Sequence, residues 1–403
     1  MGKSSTQARP TACRPCPIIP PHLESGVAVD VLPSSADLSA RPFYAFVCRV
    51  KLSFRRVDLQ LTHKWAIARG TGTNLSVVIV VELTDGDTLG LGEAAPITRY
   101  HESVDTVEAF CRKVDAARLS FEDVPGSMKY LDTVAPENMS AKCALNIALL
   151  DGAARRAKKP IYDFLGLGFR DQHHVTSFTI GIDSPDVIRK KVAEAERFPV
   201  LKIKVGVAGD QENLQAVRSV APTKWLRVDA NEGWKTKEHA LEMIEWLAQD
   251  EFIQYVEQPL PAATPEKDWV WLKQRTPLPI FADESYHTAA DAPRCAECFH
   301  GVNVKLVKTG GVSGGFAALS AARKLGLKTM IGCMIETSIL ISAAAHLAEL
   351  CDFLDVDGNI LITNDPYVGV TAEKGLLSFA SAPELLGLRV SPRATAVELR
   401  PGA

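Results

Sequence analysis

Asp229, Glu257 and Asp283 each close a short apolar run, and a Lys-x-Lys pair, Lys202 and Lys204, sits in the run before them. The four runs read VLKIKVG, WLRVDANEGW, IQYVEQPL and PIFADES. Three convergent carboxylates form an all-oxygen donor set, which suits one hard divalent ion such as Mg²⁺. Residues two apart on a strand share a face, so both lysines of the pair point the same way. An amine beside a divalent ion suits proton abstraction from carbon. Two ammonium groups packed together repel, which lowers a lysine pKa and helps one act as a base near neutral pH. A fifth run, NVKLVKTGG, brings Lys305, with Lys308 as its rival in the same segment. Lysines on opposite walls can remove and deliver a proton at opposite faces of one carbon, which inverts it. A single base opposite a mere cation would suit elimination or lactonisation instead. A proton next to a carboxylate is far less acidic than any ammonium group, so the enediolate needs concentrated positive charge.

The runs recur about every 25 residues, the spacing of βα units in a parallel barrel whose C-terminal rim carries the site. Strands are expected at Val175–Gly181, Leu201–Val205, Leu226–Val228, Ile253–Val256, Ile280–Ala282, Val302–Val307, Thr329–Ile331 and Phe353–Val356, with helical stretches between most of them. The expected fold class is α/β, a (β/α)₇β TIM-like barrel over residues 169–368. Ahead of it, strand patterns at Val50–Leu61, Leu75–Leu83 and Gly90–Ala94 give way to helical periodicity at Val107–Ala117 and Ala141–Ala157. That order predicts an α+β capping domain over residues 46–168, completed by residues 369–403. Residues 1–45 are rich in Pro, Ser and Ala without a sustained period, and read as a disordered extension. Its start matches loose transit-peptide and myristoylation patterns, neither of which is adopted.

At 403 residues, with 46% hydrophobic and 23% charged residues, the chain has the composition of a globular enzyme. A net charge of −3 makes no electrostatic case for nucleic acid or an anionic membrane. No apolar run is long enough to span a bilayer. Nine scattered cysteines point to a reducing, cytoplasmic setting rather than a disulfide framework. Cys13/Cys16 and Cys295/Cys298 are spaced as a zinc site would be, but read as incidental thiols beside the stronger acidic set.

LKIKVG, VDANEGW, VEQPL, ADESYHT and NVKLVKTGG, in this order and spacing, resemble the enolase superfamily in its muconate-lactonising subgroup. The resemblance runs from about Val50 to the C-terminus and includes GEAAPITRYHES. It implies that Lys204 and Lys305 are paired acid/base lysines and that Lys202 supports the substrate carboxylate. Asp229, Glu257 and Asp283 would be the Mg²⁺ ligands, with Asn231 and Glu284 as their partners. Asp355 and Asp357 are alternate acids on the last strand. They are similar to the Asp-x-Asp motif with which dipeptide epimerases hold a free amino terminus, and they offer a cation pocket. Ile67 to Thr71 is expected as a mobile loop over the barrel mouth. Its Arg69 matches the arginine that pairs with the glutamate side chain in similar L-Ala-D/L-Glu epimerases. Thr179, Cys333, Met334 and Ile335 fall on matching substrate-side positions. The expected activity is Mg²⁺-dependent inversion of the second residue of a dipeptide, L-Ala-L-Glu first, by a homo-oligomer that recycles cell-wall peptides. Epimerases of hydrophobic or cationic dipeptides, cycloisomerase, o-succinylbenzoate synthase and N-acylamino acid racemase are the alternatives.

Overall fold

A computed structural model describes residues 50–68 and 70–394. The expectations placed on residues 1–45, on Cys13/Cys16 and on Arg69 lie outside the described residues.

An antiparallel sheet comes first, with strands β1 (Lys51–Ile67), β2 (Gly70–Asp85) and β3 (Thr88–Ala94) in sequence order. The middle strand carries Val78, Ile79, Val80 and Val81, all fully buried, so it packs on both faces. The helix Met139–Arg156 is buried from Ser140 to Ala154 and lies against β3. Gly92 permits that approach, since a Cβ there would stand 1.9 Å from the Ala144 carbonyl oxygen.

The second sheet holds eight parallel strands in chain order: β4 (Phe178–Ile180), β5 (Val200–Lys204), β6 (Trp225–Asp229), β7 (Ile253–Glu257), β8 (Ile280–Ala282), β9 (Gly301–Lys305), β10 (Lys328–Gly332) and β11 (Phe353–Asp355). Each of the seven crossovers between them is helical, from Pro185–Glu194 to Ser338–Ala345. The sheet closes where Thr176 bridges Leu354 and the Ser177 N–H donates to the Leu354 carbonyl at 3.1 Å. The result is the expected (β/α)₇β barrel under an antiparallel cap. Its floor is a layer of Tyr255, Phe281, Met330 and Phe353, with the Arg227 guanidinium 5.1 Å from the centre of the Phe353 ring.

Two local expectations change. The sixth barrel strand ends at Lys305 rather than Val307, because Leu306–Thr309 winds into a helical turn capped by Gly310 at φ 75°. The expected loop from Ile67 is instead the tip of a long hairpin, with Ile67 paired to Gly70. This hairpin is seated on the barrel: the Ala66 carbonyl accepts from the Ile182 N–H at 3.0 Å, and the Thr62 N–H donates to the Leu361 carbonyl at 2.9 Å.

After Val368, a small hairpin of Thr371–Glu373 and Leu376–Ser378 meets the start of the barrel, where the Leu377 N–H donates to the His174 carbonyl. The chain then reaches the cap, and the Leu388 N–H donates to Asp151 Oδ1 at 2.7 Å. His174, which has no role legible in the sequence, is a buried packing residue bonded to Glu349 Oε1 at 2.8 Å. Among the described residues no helix is long and apolar enough to cross a membrane. Cys295 and Cys298 are buried free thiols in a barrel helix, and burial pushes Cys295 up to about 12.

Candidate active site

Parallel strands of similar length end at one rim, and their last residues converge there. Lys204, Asp229 and Glu257 are the final residues of β5, β6 and β7 and pair in register, Lys204 with Asp229 and Asp229 with Glu257. Asp283 follows β8 directly, and Lys305 ends β9, four strands from β5 and so across the barrel. All five side chains are buried.

Asp229, Glu257 and Asp283 each offer a carboxylate oxygen, and these atoms lie within 4.8 Å of one another. Three buried negative charges at that spacing require cations. Lys204 Nζ donates to Asp229 Oδ2 at 2.7 Å, Lys305 Nζ to Asp283 Oδ2 at 2.9 Å, and Lys308 Nζ to Asp283 Oδ1 at 2.7 Å. Lys202 Nζ donates to Asp355 Oδ2 at 2.6 Å, and stands 2.8 Å from Glu257 Oε2 and 3.2 Å from Asp229 Oδ2.

The lysines do not satisfy the three acids equally. Burial opposes the charge of Asp229 and Asp283, yet Lys204 and Lys202 hold the first below the usual carboxylate range, and Lys305 and Lys308 hold the second well below it. Glu257 is pushed up to about 7, by burial and then by Asp229. Its Oε1 accepts from Asn303 Nδ2 at 2.7 Å, while Oε2 accepts no well-angled hydrogen bond despite Lys202 nearby. That underserved oxygen, within an all-carboxylate set, is what a hard divalent cation fits.

The expected lowering of a lysine pKa by Lys202–Lys204 repulsion does not hold at Lys202. Burial disfavours its charge, but Asp355, Glu257 and Asp229 together raise it well above the ordinary lysine value. Asp283 does the same for Lys305 against burial. Carboxylates, not the neighbouring lysine, dominate both.

Asn231 supports Asp229 directly, its N–H reaching Oδ1 at 2.9 Å and its Nδ2 reaching Oδ2 at 3.2 Å. It sits at φ 43° beside Glu232 at φ 66°, two left-handed residues in succession. The cap clamps this turn: Arg99 donates from Nε and Nη2 to Glu232 at 3.0 and 2.9 Å.

A cavity of about 250 Å³ opens above the triad, bounded by Lys202, Lys204, Lys305, Asn231, Glu284, Thr179, Asp355 and Asp357. Cys333, Met334 and Ile335 form one wall, so these sequence-expected positions come together. The cap contributes Leu61, Trp65, Ile67, Leu75, Ile97 and Tyr100 to the lining. Lys204 Nζ lies 6.0 Å from the centre of the Trp65 ring. Sequence reasoning missed Trp65, Ser177 and Arg99, and named Lys308 only as the rival to Lys305.

The chain matches the model of the mandelate racemase / muconate lactonizing enzyme N-terminal domain over residues 51–166, and that of the enolase C-terminal domain-like fold over residues 187–362. It is 67% identical over 344 residues to an L-Ala-D/L-amino acid epimerase from Pedosphaera parvula, covering 85% of this chain and 99% of the relative. The substrate-liganded L-Ala-D/L-Glu epimerase from Bacillus subtilis superposes with a TM-score of 0.79 at 28% identity, covering 86% of this chain and 99% of that one. A dipeptide epimerase from Cytophaga hutchinsonii, complexed with Mg and D-Ala-L-Val, gives a TM-score of 0.78 at 27% identity, covering 85% and 95%. With both halves matched in order and a relative this similar along its whole length, the chain belongs to the enolase superfamily, in the family of mandelate racemase and muconate lactonizing enzyme.

Proposed function

We propose that this chain is a Mg²⁺-dependent dipeptide epimerase that inverts the α-carbon of the second residue, interconverting L-Ala-L-Glu and L-Ala-D-Glu. The observation that carries the reading is a buried carboxylate triad flanked by lysines from strands on opposite sides of one barrel. The relatives are isomerases of amino acid derivatives, which supports the same reaction class.

Asp229, Glu257 and Asp283 would hold the ion, which supplies the positive charge that makes the α-proton of a carboxylate substrate removable. Lys204 and Lys305 then share the proton work. As the Cα–H bond breaks, one Nζ takes the proton, and the other delivers its own proton to the opposite face of the carbon. Lys202, held by three acids, stays an ammonium group and supports the substrate carboxylate. Asp355 and Asp357 form the anionic end of the cavity, suited to the N-terminal ammonium group. The cap hairpin, with Trp65 and Ile67, screens the lysines from water. Arg69 would read a glutamate side chain. The homo-oligomeric state, the cytoplasmic setting and the role in cell-wall peptide turnover belong to the same proposal and rest on the family resemblance.

A second reading is favoured by the cap wall itself. Leu61, Trp65, Ile67, Leu75 and Ile97 are apolar and suit a dipeptide with an apolar second residue.

Chiral chromatography of L-Ala-L-Xaa dipeptides incubated with the protein and Mg²⁺ tests the proposal. The L,D product should appear, stop on chelation and resume when Mg²⁺ is restored. Preference for Xaa = Glu supports the first reading, and preference for Leu or Phe the second. Conversion of N-succinyl or N-acyl amino acids alone would replace both.

A further inference from the structure

Lys305 and Lys308 reach the same acid by different routes. Lys305 ends β9, and its Nζ donates to Asp283 Oδ2 at 2.9 Å from the wall of the active-site cavity. Lys308 comes round on the helical turn Leu306–Thr309 that follows. Had the strand run on through this segment, alternation would have sent the two side chains to opposite faces. The turn brings both to Asp283.

Once there, the two ammonium groups are not equivalent. Lys308 has three N–H donors, and three acceptors of the protein take them: the Asp283 carbonyl at 2.5 Å, Asp283 Oδ1 at 2.7 Å and the Asn303 carbonyl at 3.1 Å. Its side chain is fully buried. Lys202, Lys204 and Lys305 are among the described residues that bound the cavity, and Lys308 is not. An ammonium group with every N–H engaged by the protein has none to aim at a substrate carbon. What it does fix is Asp283. The Asp283 N–H donates to Gln258 Oε1 at 2.9 Å, so with Lys308 on the carbonyl and on Oδ1, Oδ2 is the oxygen left to Lys305.

The other two acids show the same division. Glu257 Oε1 accepts from Asn303 Nδ2 at 2.7 Å, while Oε2 stands beside Lys202. Asp229 Oδ1 accepts from the Asn231 N–H at 2.9 Å, while Oδ2 accepts from Lys204. Each acid thus has one oxygen tied back and the other beside a lysine of the cavity. Lys308 serves Asp283 as Asn303 serves Glu257, and its bond to the Asn303 carbonyl links the two supports.

We propose that Lys308 is a positioning residue of the metal site: it acts through Asp283, holding the carbonyl and Oδ1 so that Oδ2 is presented to the ion, and takes no part in proton transfer. Charge alone would have the opposite effect on the ion, because a cation beside Asp283 repels a divalent one. The sign of the change in Mg²⁺ affinity therefore separates the two roles. The inference rests on the Mg²⁺ reading of the triad, and the second arm of its test on the dipeptide epimerase reading.

Calorimetric titration of the chelator-stripped protein with Mg²⁺, for the wild type and Lys308→Met, tests it without turnover. Binding should be weaker in the variant by roughly tenfold to a hundredfold, the usual worth of a group that orients a metal ligand. Lys308→Gln, which keeps a donor, should weaken binding less, and it covers the case in which Lys308→Met fails to fold. Binding that is unchanged or tighter overturns the proposal. Mass spectrometry in D₂O is the second arm. At saturating Mg²⁺, Lys308→Met should exchange the α-proton of the second residue in both L-Ala-L-Glu and L-Ala-D-Glu. Exchange of one epimer alone would make Lys308 a working acid or base and overturn the proposal. A wild type that binds Mg²⁺ but exchanges no dipeptide overturns the epimerase reading instead, and leaves the titration to decide on Lys308.

Discussion

Lys202 donates to Asp355 and stands within ion-pair distance of Glu257 and Asp229, so this side chain joins the last barrel strand to the acidic triad. In the proposed reaction the proton work falls to Lys204 and Lys305, which end strands on opposite sides of the barrel. Lys204→Ala and Lys305→Ala should each slow inversion by roughly 10²- to 10⁴-fold, the usual worth of a general acid or base. Each should retain solvent exchange with only one of the two epimers, because one face keeps its lysine. Exchange of both epimers by either variant, measured by mass spectrometry in D₂O, would argue against two bases. At this scale the residues at strand ends were legible, because a strand's last position has one place to point. Ser177 and Asn303 were not, since Ser177 reaches the site only through barrel closure and Asn303 sits mid-strand with no distinctive local pattern, while Lys308, legible as a rival to Lys305, is turned onto Asp283 by a helical turn.

The cap owes its packing to β3, whose glycines let the helix Met139–Arg156 come close enough to bury nearly all of its length. Gly92→Ala should destabilise the protein by about 3 kcal/mol or more, an overpacking cost with backbone on both sides. A thermal melt would read this directly, and an unchanged midpoint would mean that the contact yields. The same element carries Ala95 to Tyr100 onto the cavity and Arg99 onto Glu232, so a shifted β3 should also weaken Mg²⁺ binding in a calorimetric titration. The cap's strands and last helix were readable from period and turn residues. Val124–Val134 was not: its Pro-Gly start reads as a turn, whereas Asp123 caps a helix there by accepting from the Gly126 N–H. The reach of β1 to Ile67 was hidden for a different reason, as its support comes from Leu361 and Ile362, some 300 residues away.

Three regions of the molecule meet at His346, at the end of the last crossover helix. Its Nδ1 accepts from the Tyr162 N–H at 3.2 Å, and Nε2 donates to the Leu388 carbonyl at 3.0 Å, so the ring is neutral. Burial pushes its pKa down to about 3, below the value it takes in an unfolded chain. A depressed folded pKa gives stability that is present above about pH 6.5 and is lost as pH falls toward 3, at about 1.4 kcal/mol per pH unit within that window. Urea unfolding at pH 7 and pH 5 should therefore show a larger drop for the wild type than for His346→Gln, and equal drops would remove His346 from the acid response. The eight-strand order was legible from the recurrence of the runs, because each unit repeats one physical pattern. The route of the C-terminal segment back past Asp151 and Tyr162 was legible only as a return, since its contacts are mostly backbone bonds. In the proposed reaction all of these parts serve one event at one carbon, and proton NMR of the Mg²⁺-loaded protein with L-Ala-L-Glu in D₂O observes it most directly. The account predicts loss of the α-proton signal of the second residue while that of the first persists, with L-Ala-D-Glu resonances growing in. An α-proton retained through prolonged incubation, with this substrate and with L,L-dipeptides bearing apolar second residues, would contradict it.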